Sequence, residues 1–236
     1  MARKLIAELL GTAILVYLGC GTATLMFGFK LAGSSKAAGV VATALAFGLV
    51  LAGLAYAFGG ISGAHVNPAV TLGMLVAKRI SSIEAASNWV AQVVGGILGA
   101  LVLWATFKGS PKYSRSKQGL GADGWGSASA IHINWVGAFV IEVILTSIFV
   151  YVILAVTAKG GPAIMAGLVI GLTLGLVHLL GILIDGTSVN PARSLGPALI
   201  VGGTALHQVW LFLVAPLIGG CIAAIAHRGL QPEPSV

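Results

Sequence analysis

Two asparagines and an arginine sit in a phrase that the chain uses twice, VNPAVTLG from Val66 to Gly73 and VNPARSLG from Val189 to Gly196, 123 residues apart. Six of the eight positions are identical, and the largest difference sets Val70 against Arg193. Asn is a preferred N-cap and Pro a preferred first helical residue, where its missing N–H has no partner to lose. Each copy therefore predicts a helix start at Asn67-Pro68-Ala69 and at Asn190-Pro191-Ala192. An Asn that caps its own helix through the side-chain oxygen keeps its amide N–H groups free to donate elsewhere. Three further polar groups, Glu8, Glu142 and His178, lie inside long apolar stretches, where an ionisable side chain is a functional group by default. The two glutamates either relay protons or accept hydrogen bonds from backbone N–H groups that a broken segment would leave unpaired. The second role asks less of them. Neither HExxH nor GxSxG occurs, and His178 has no nucleophile at a diagnostic spacing, so intramembrane hydrolysis finds no support. Cys20 and Cys221 fall within apolar spans and read as small buried hydrophobes, with no disulfide framework, metal site or cofactor expected.

The composition sets the medium in which these groups work. Of 236 residues, 58% are hydrophobic and 8% charged, about a third of the charged fraction usual in soluble domains. This excludes a soluble globular chain and predicts an integral membrane protein. The net charge of +7 comes from 13 Lys and Arg scattered between apolar spans, not from a basic stripe, so nucleic acid is not an expected partner. Arg3 and Lys4 precede an apolar run that is too long for a signal-peptide core and contains Glu8; the run reads as a first span.

Crossing a bilayer core of about 30 Å takes about 20 helical residues. Six stretches suffice, at about 5 to 27, 38 to 58, 86 to 107, 135 to 157, 163 to 184 and 207 to 227. Two more, about 67 to 77 and 190 to 201, reach only about 17 Å and read as half-spans. Both begin with the repeated phrase and follow a Gly-containing segment. Non-helical backbone at membrane depth is tolerated only where protein buries it or it lines a wet cavity, so the phrase predicts a cavity. The offset that aligns the two phrases also aligns Gly48 with Gly171, Leu49 with Leu172 and Gly63 with Gly186. A repeat of this kind organises the whole chain, as one transmembrane domain: residues 1 to 107 as the first repeat, 108 to 134 as a hydrophilic surface connection, 135 to 228 as the second repeat and 229 to 236 as a disordered tail. Three crossings per half send the second half in from the opposite face, so the repeats are inverted, as in several channels and transporters. Gly95 and Gly99 stand at GxxxG spacing, which permits close helix contact. With the N-terminus inside, six Lys and Arg fall on each side, and the positive-inside rule does not choose an orientation.

Two NPA tripeptides on inverted half-spans, within SGAHVNPAVT and TSVNPARS, together with the AEL-G-T opening at Ala7 to Thr12, resemble the aquaporin (major intrinsic protein) family over essentially the whole length. The resemblance implies an all-α fold of six transmembrane helices and two re-entrant half-helices in inverted three-helix repeats. It also implies a passive, osmotically driven channel with water as permeant, a homotetramer in the lipid bilayer, and a multi-pass location in a prokaryotic inner membrane with both termini cytoplasmic. Asn67 and Asn190 would hold a passing water by its oxygen, while two helix N-termini, each carrying about half a positive charge, would repel cations and protons. The family's filter pattern falls on Phe47, His178, Thr187 and Arg193. Phe47 and His178 would narrow the passage to one water, Arg193 would supply charge and donors, and pore diameter with electrostatic barriers would set selectivity. Glycerol-conducting relatives typically carry Gly in place of this His. Ser194 and Ala198 also follow the water-channel pattern, whereas Phe212-Leu213 departs from the aromatic pair ending in Trp of many water channels. The resemblance gives Glu8 and Glu142 the structural role. The alternatives are a broader pore that also passes glycerol, ammonia or hydrogen peroxide, and an ion-coupled transporter, for which only Glu8, Glu142 and Asp185 could couple.

Overall fold

Eight principal helices run through the computed structural model, which describes residues 1–31, 33, 35–161 and 164–230. Six are long and apolar enough to cross a membrane: α1 (Ala2–Gly28), α2 (Lys36–Ser62), α4 (Ser82–Lys108), α5 (Trp135–Val156), α6 (Ala166–Asp185) and α8 (Gly203–Leu230). The two half-spans are α3 (Pro68–Val76) and α7 (Pro191–Val201). The tail expected to be disordered begins inside α8, which continues through Leu230; residues 231 to 236 lie outside the described residues, as do 162 and 163 ahead of α6.

Local chemistry marks most helix starts. Ser35, Ser81 and Asn134 cap α2, α4 and α5 by accepting from Ala38, Glu84 and Gly137 N–H, and Asn67 and Asn190 cap the half-helices. Each satisfies a donor that the helix itself leaves unpaired. The break ahead of each phrase is shorter than the sequence suggests, because α2 remains helical to Ser62. It stops at Gly63 (φ 87°), as α6 stops at Gly186 (φ 101°), both left-handed positions that favour a residue without Cβ. One departure lies in α1, which carries π-helical turns at Val16–Cys20 and Thr24–Gly28.

Small residues set the packing. A Cβ on Gly48 would stand 2.7 Å from the Gly171 carbonyl oxygen and 3.2 Å from Gly175 Cα, so α2 and α6 meet backbone to backbone at positions equivalent in the repeat. Gly95 and Gly99 of α4 lie against the Leu9 and Ala13 carbonyls of α1, the close approach that their spacing implies. The half-helices are held the same way, the Ala69 carbonyl against Gly220 of α8 and the Ala192 carbonyl against Gly96 of α4.

The hydrophilic connection is not a plain surface loop. Leu120 and Asp123 are buried, and the segment is pinned by Gly124 N–H to the Asp185 carbonyl (2.9 Å), Ala130 N–H to the Leu183 carbonyl (3.2 Å) and Trp125 N–H to Gln208 Oε1 (2.9 Å). Gly121 lies against the backbone of Cys20, in the first π turn, and Gly28, in the second, against that of Gln118. The π turns of α1 are therefore where the connection docks.

Gly48→Val is expected to destabilise the protein by about 2 kcal/mol, the usual scale for overpacking, and thermal unfolding in detergent should show a lower Tm. An unchanged Tm would contradict the close α2–α6 approach.

Candidate functional site

Besides Gly63 and Gly186, the two breaks place four non-glycine residues in positive-φ backbone: Ala64 (47°) and Val66 (43°) in the first, Thr187 (61°) and Val189 (43°) in the second. Such conformations cost about 1 to 3 kcal/mol each and persist only where surroundings impose them. The surroundings here are the two buried glutamates. Glu8 accepts from Ser62 Oγ (2.7 Å), His65 N–H (2.9 Å), Val66 N–H (2.7 Å) and Gln92 Nε2 (2.7 Å). Glu142 accepts from Ser188 N–H (2.6 Å) and Val189 N–H (2.8 Å). Both side chains are wholly buried, and each accepts from two consecutive backbone N–H groups of a break.

Held in this way, the two half-helices meet N-terminus to N-terminus. Asn67 Oδ1 accepts from Ala69 N–H (2.8 Å), and Asn190 Oδ1 accepts from Ala192 N–H (3.0 Å) and Arg193 N–H (3.2 Å). The amide groups are not wholly free. Asn67 Nδ2 donates to the Val189 carbonyl (2.7 Å) and Asn190 Nδ2 to the Val66 carbonyl (2.9 Å). Each amide thus spends one N–H tying the opposite break and retains the other.

A single cavity connects this meeting point to a ring of bulky residues. Its lining includes Val66, Asn67, Val189 and Asn190 at one end and Phe47, His178 and Arg193 at the other, with Leu15, Leu51, Phe149 and Leu174 as apolar wall. Phe47 and His178 stack with ring centroids 4.3 Å apart, and the Arg193 guanidinium carbon lies 5.1 Å from the Phe47 centroid. The ring of Phe47 occupies the space that a Cβ on Gly19 would need. Gly181 is confined in the same way by the Thr187 hydroxyl.

Among the described residues, two buried polar atoms of the cavity lining have no protein partner, His178 Nε2 and Arg193 Nε, and Thr187 Oγ1, beside Gly181, has none either. His178 Nδ1 lies 2.8 Å from the Leu174 carbonyl. A carbonyl only accepts, so Nδ1 carries the proton and Nε2 of the neutral ring is an acceptor. At the cavity lining His178 thus offers an acceptor and Arg193 an N–H donor.

The sequence reading did not find the partner of Arg193. Its Nη1 donates to Asp123 Oδ2 (2.5 Å), in an ion pair whose side chains are 2% and 1% exposed, and Nη2 reaches the Gly186 carbonyl (3.4 Å). Ser194 Oγ also donates to Asp123 Oδ2 (2.6 Å) and lies 2.6 Å from Ser188 Oγ. Burial pushes the Asp123 carboxyl above its usual range, while the Arg193 charge and the Ser194 hydrogen bond pull it back. One signal pointed to it: a buried arginine needs a counter-charge, and the chain has only six Asp and Glu. Asp185 is a buried residue at the end of α6, where its Oδ1 accepts from Thr187 N–H (3.0 Å). His65 lines the cavity, its Nδ1 3.1 Å from Thr71 Oγ1. Phe212 is buried against Trp125 of the connection, centroids 6.1 Å apart, away from the cavity lining.

Residues 1–227 match the family described as Major intrinsic protein. The chain is 44% identical over 233 residues to Aquaporin Z of Rhodopseudomonas palustris, covering 99% of this chain and 95% of that one. It is also 44% identical over 230 residues to Aquaporin Z of Brucella melitensis, covering 98% of each. Among solved structures, the X-ray structure of the aquaglyceroporin from Plasmodium falciparum superposes with a TM-score of 0.82 at 26% identity, over 95% of this chain and 94% of that one.

Replacing Glu142 by Leu strands two backbone N–H groups at membrane depth, and replacing Glu8 by Leu strands two more donors besides. At about 1 to 3 kcal/mol for each unsatisfied buried group, Glu8→Leu should lower the Tm more than Glu142→Leu, and Glu142→Gln less than either. The reverse order would show that the carboxylates do not hold the breaks.

Proposed function

The chain belongs to the major intrinsic protein family, and on that premise we propose that it is a passive water channel, driven by osmotic gradients and excluding ions and protons. The observation that carries this reading is the close set of Phe47, His178 and Arg193 on one cavity, where His178 Nε2 and Arg193 Nε have no protein partner among the described residues; the family likeness adds Thr187 to this ring. Water donates to His178 Nε2 while accepting from Arg193 Nε–H, so the ring replaces hydrogen bonds that water gives up on leaving the bulk. A three-carbon polyol has the same polar groups and a greater width. The Phe47–His178 stack leaves it little room, which ranks a glycerol-passing pore second; ammonia and hydrogen peroxide, closer to water in size, belong to the same broader-pore alternative.

Besides the ring, Leu15, Leu51, Phe149 and Leu174 give the cavity an apolar wall, and the two asparagines also line it. There the water oxygen accepts from the remaining amide N–H of Asn67 and of Asn190. Its hydrogens then point away along the pore in both directions, which interrupts the chain of like-oriented hydrogen bonds that proton hopping needs. The positive ends of α3 and α7 add an electrostatic barrier to cations, each helix contributing about half a charge. No side chain in this route cycles through a covalent or coupled step, which separates the reading from an ion-coupled transporter. The pore is complete within one chain, and in the proposed homotetramer each protomer conducts on its own. The proposed setting is a bacterial inner membrane with both termini cytoplasmic.

Stopped-flow light scattering on proteoliposomes tests the reading. A sorbitol shock should give shrinkage far faster than in empty liposomes and with a low activation energy, and a glycerol gradient should give no re-swelling. Water flux equal to that of empty liposomes would refute the water channel. The double variant His178→Gly, Phe47→Trp should admit glycerol; continued exclusion would refute the assigned filter.

A further inference from the structure

Resting on the water-channel reading, we propose that Asp123 is the positioning residue of the filter: its carboxylate holds the Arg193 guanidinium against the wall and cancels its charge, so the ring selects by width and hydrogen bonding. The guanidinium presents five N–H groups. One goes to Asp123 and one to the Gly186 carbonyl, which lies beside Asp123, while Nε–H has no protein partner among the described residues and Arg193 lines the cavity. That division depends on where the carboxylate sits. Asp123 is fixed by its neighbours, because Gly124 N–H is bonded to the end of α6 and Trp125 N–H to Gln208 of α8. Ser194 Oγ, one residue beyond Arg193, binds the same carboxylate oxygen. The other oxygen, Oδ1, has no partner and lies beside Gly186, where a Cβ would stand 2.6 Å from it.

A buried ion pair adds little net stability over an apolar pair of similar shape, whereas removal of one partner strands the other charge. The consequence of this pair is therefore directional. With the carboxylate charge gone, only neutral acceptors hold the guanidinium on that side, among them the Gly186 carbonyl, and lumenal water and His178 Nε2 compete for it. It then turns into the lumen beside Phe47 and His178 and narrows the passage. While the pair is intact, the filter carries no net charge, and cation rejection rests on the two midplane helix ends.

Asp123→Asn keeps the shape of the side chain and an acceptor oxygen while removing the charge. Water permeability per channel of Asp123→Asn proteoliposomes should fall by about threefold or more, with a raised activation energy, since pore width and lining polarity govern flux. In an Arg193→Val background, the same Asp123→Asn change should have no effect, because there is no guanidinium to release. Wild-type flux in Asp123→Asn, or an equal loss in both backgrounds, would overturn the proposal and leave Asp123 a structural residue of the connection. Loss of water flux in the wild type itself would instead refute the channel reading. Should Asp123→Asn fail to purify, an experimental structure of the wild-type protein decides: the guanidinium on Asp123 supports the proposal, and one turned to His178 without Asp123 overturns it.

Discussion

Backbone that leaves its helix in the middle of a bilayer must find hydrogen-bond partners within the protein, and that requirement governs this molecule. At such depth each unpaired N–H or C=O costs several kcal/mol, yet the chain breaks twice, at Gly63 to Val66 and at Gly186 to Val189. Glu8 and Glu142 reach in from the first span of each half and take two consecutive N–H groups apiece. The β-branched Val66 and Val189, both at φ 43°, are held in place by these bonds. With the strain supported from behind, the Val66 and Val189 carbonyls turn to receive the opposite asparagine amide.

The same constraint accounts for the small residues. A half-helix cannot span the bilayer, so it must be gripped along its side, and Gly96 and Gly220 let the Ala192 and Ala69 carbonyls come within backbone distance. The pairing is symmetric where the scaffold is concerned and asymmetric where selectivity is. Glu8 has four donors and Glu142 two. In the second half, the serines at 188 and 194 form a separate network that leads to Asp123, and Arg193 extends it to the ring.

Much of this was legible from residue types. The repeated phrase located both half-helix starts to the residue, because Asn and Pro have strong positional meanings at a helix N-terminus. The six spans followed from apolar length, and several of their ends moved by a few residues because a hydropathy window does not sense caps such as Ser35 or Ser81. Phe47 and His178, 131 residues apart in the sequence, came together through the family likeness and not through any local signal. What could not be read was the destination of the connection. Its glycines and hydrophilic residues look the same whether the segment floats in solvent or folds back into the mouth, and the contacts that bury Asp123 come from α6, α8 and the phrase itself. The π turns of α1 were equally hidden, since a single extra residue in a uniformly apolar helix leaves no mark on its periodicity.

The crossed asparagine bonds also bear on how the molecule is made. Asn67 caps α3 with its own oxygen, a local event, but the carbonyl its amide needs belongs to Val189, 122 residues later. Val66 likewise waits for Asn190. A ribosome delivering the chain from its N-terminus therefore inserts a first half whose re-entrant tip has its cap and its carboxylate brace but no partner across the midplane. The crossed bonds form only when the second tip arrives, so neither half alone can make them.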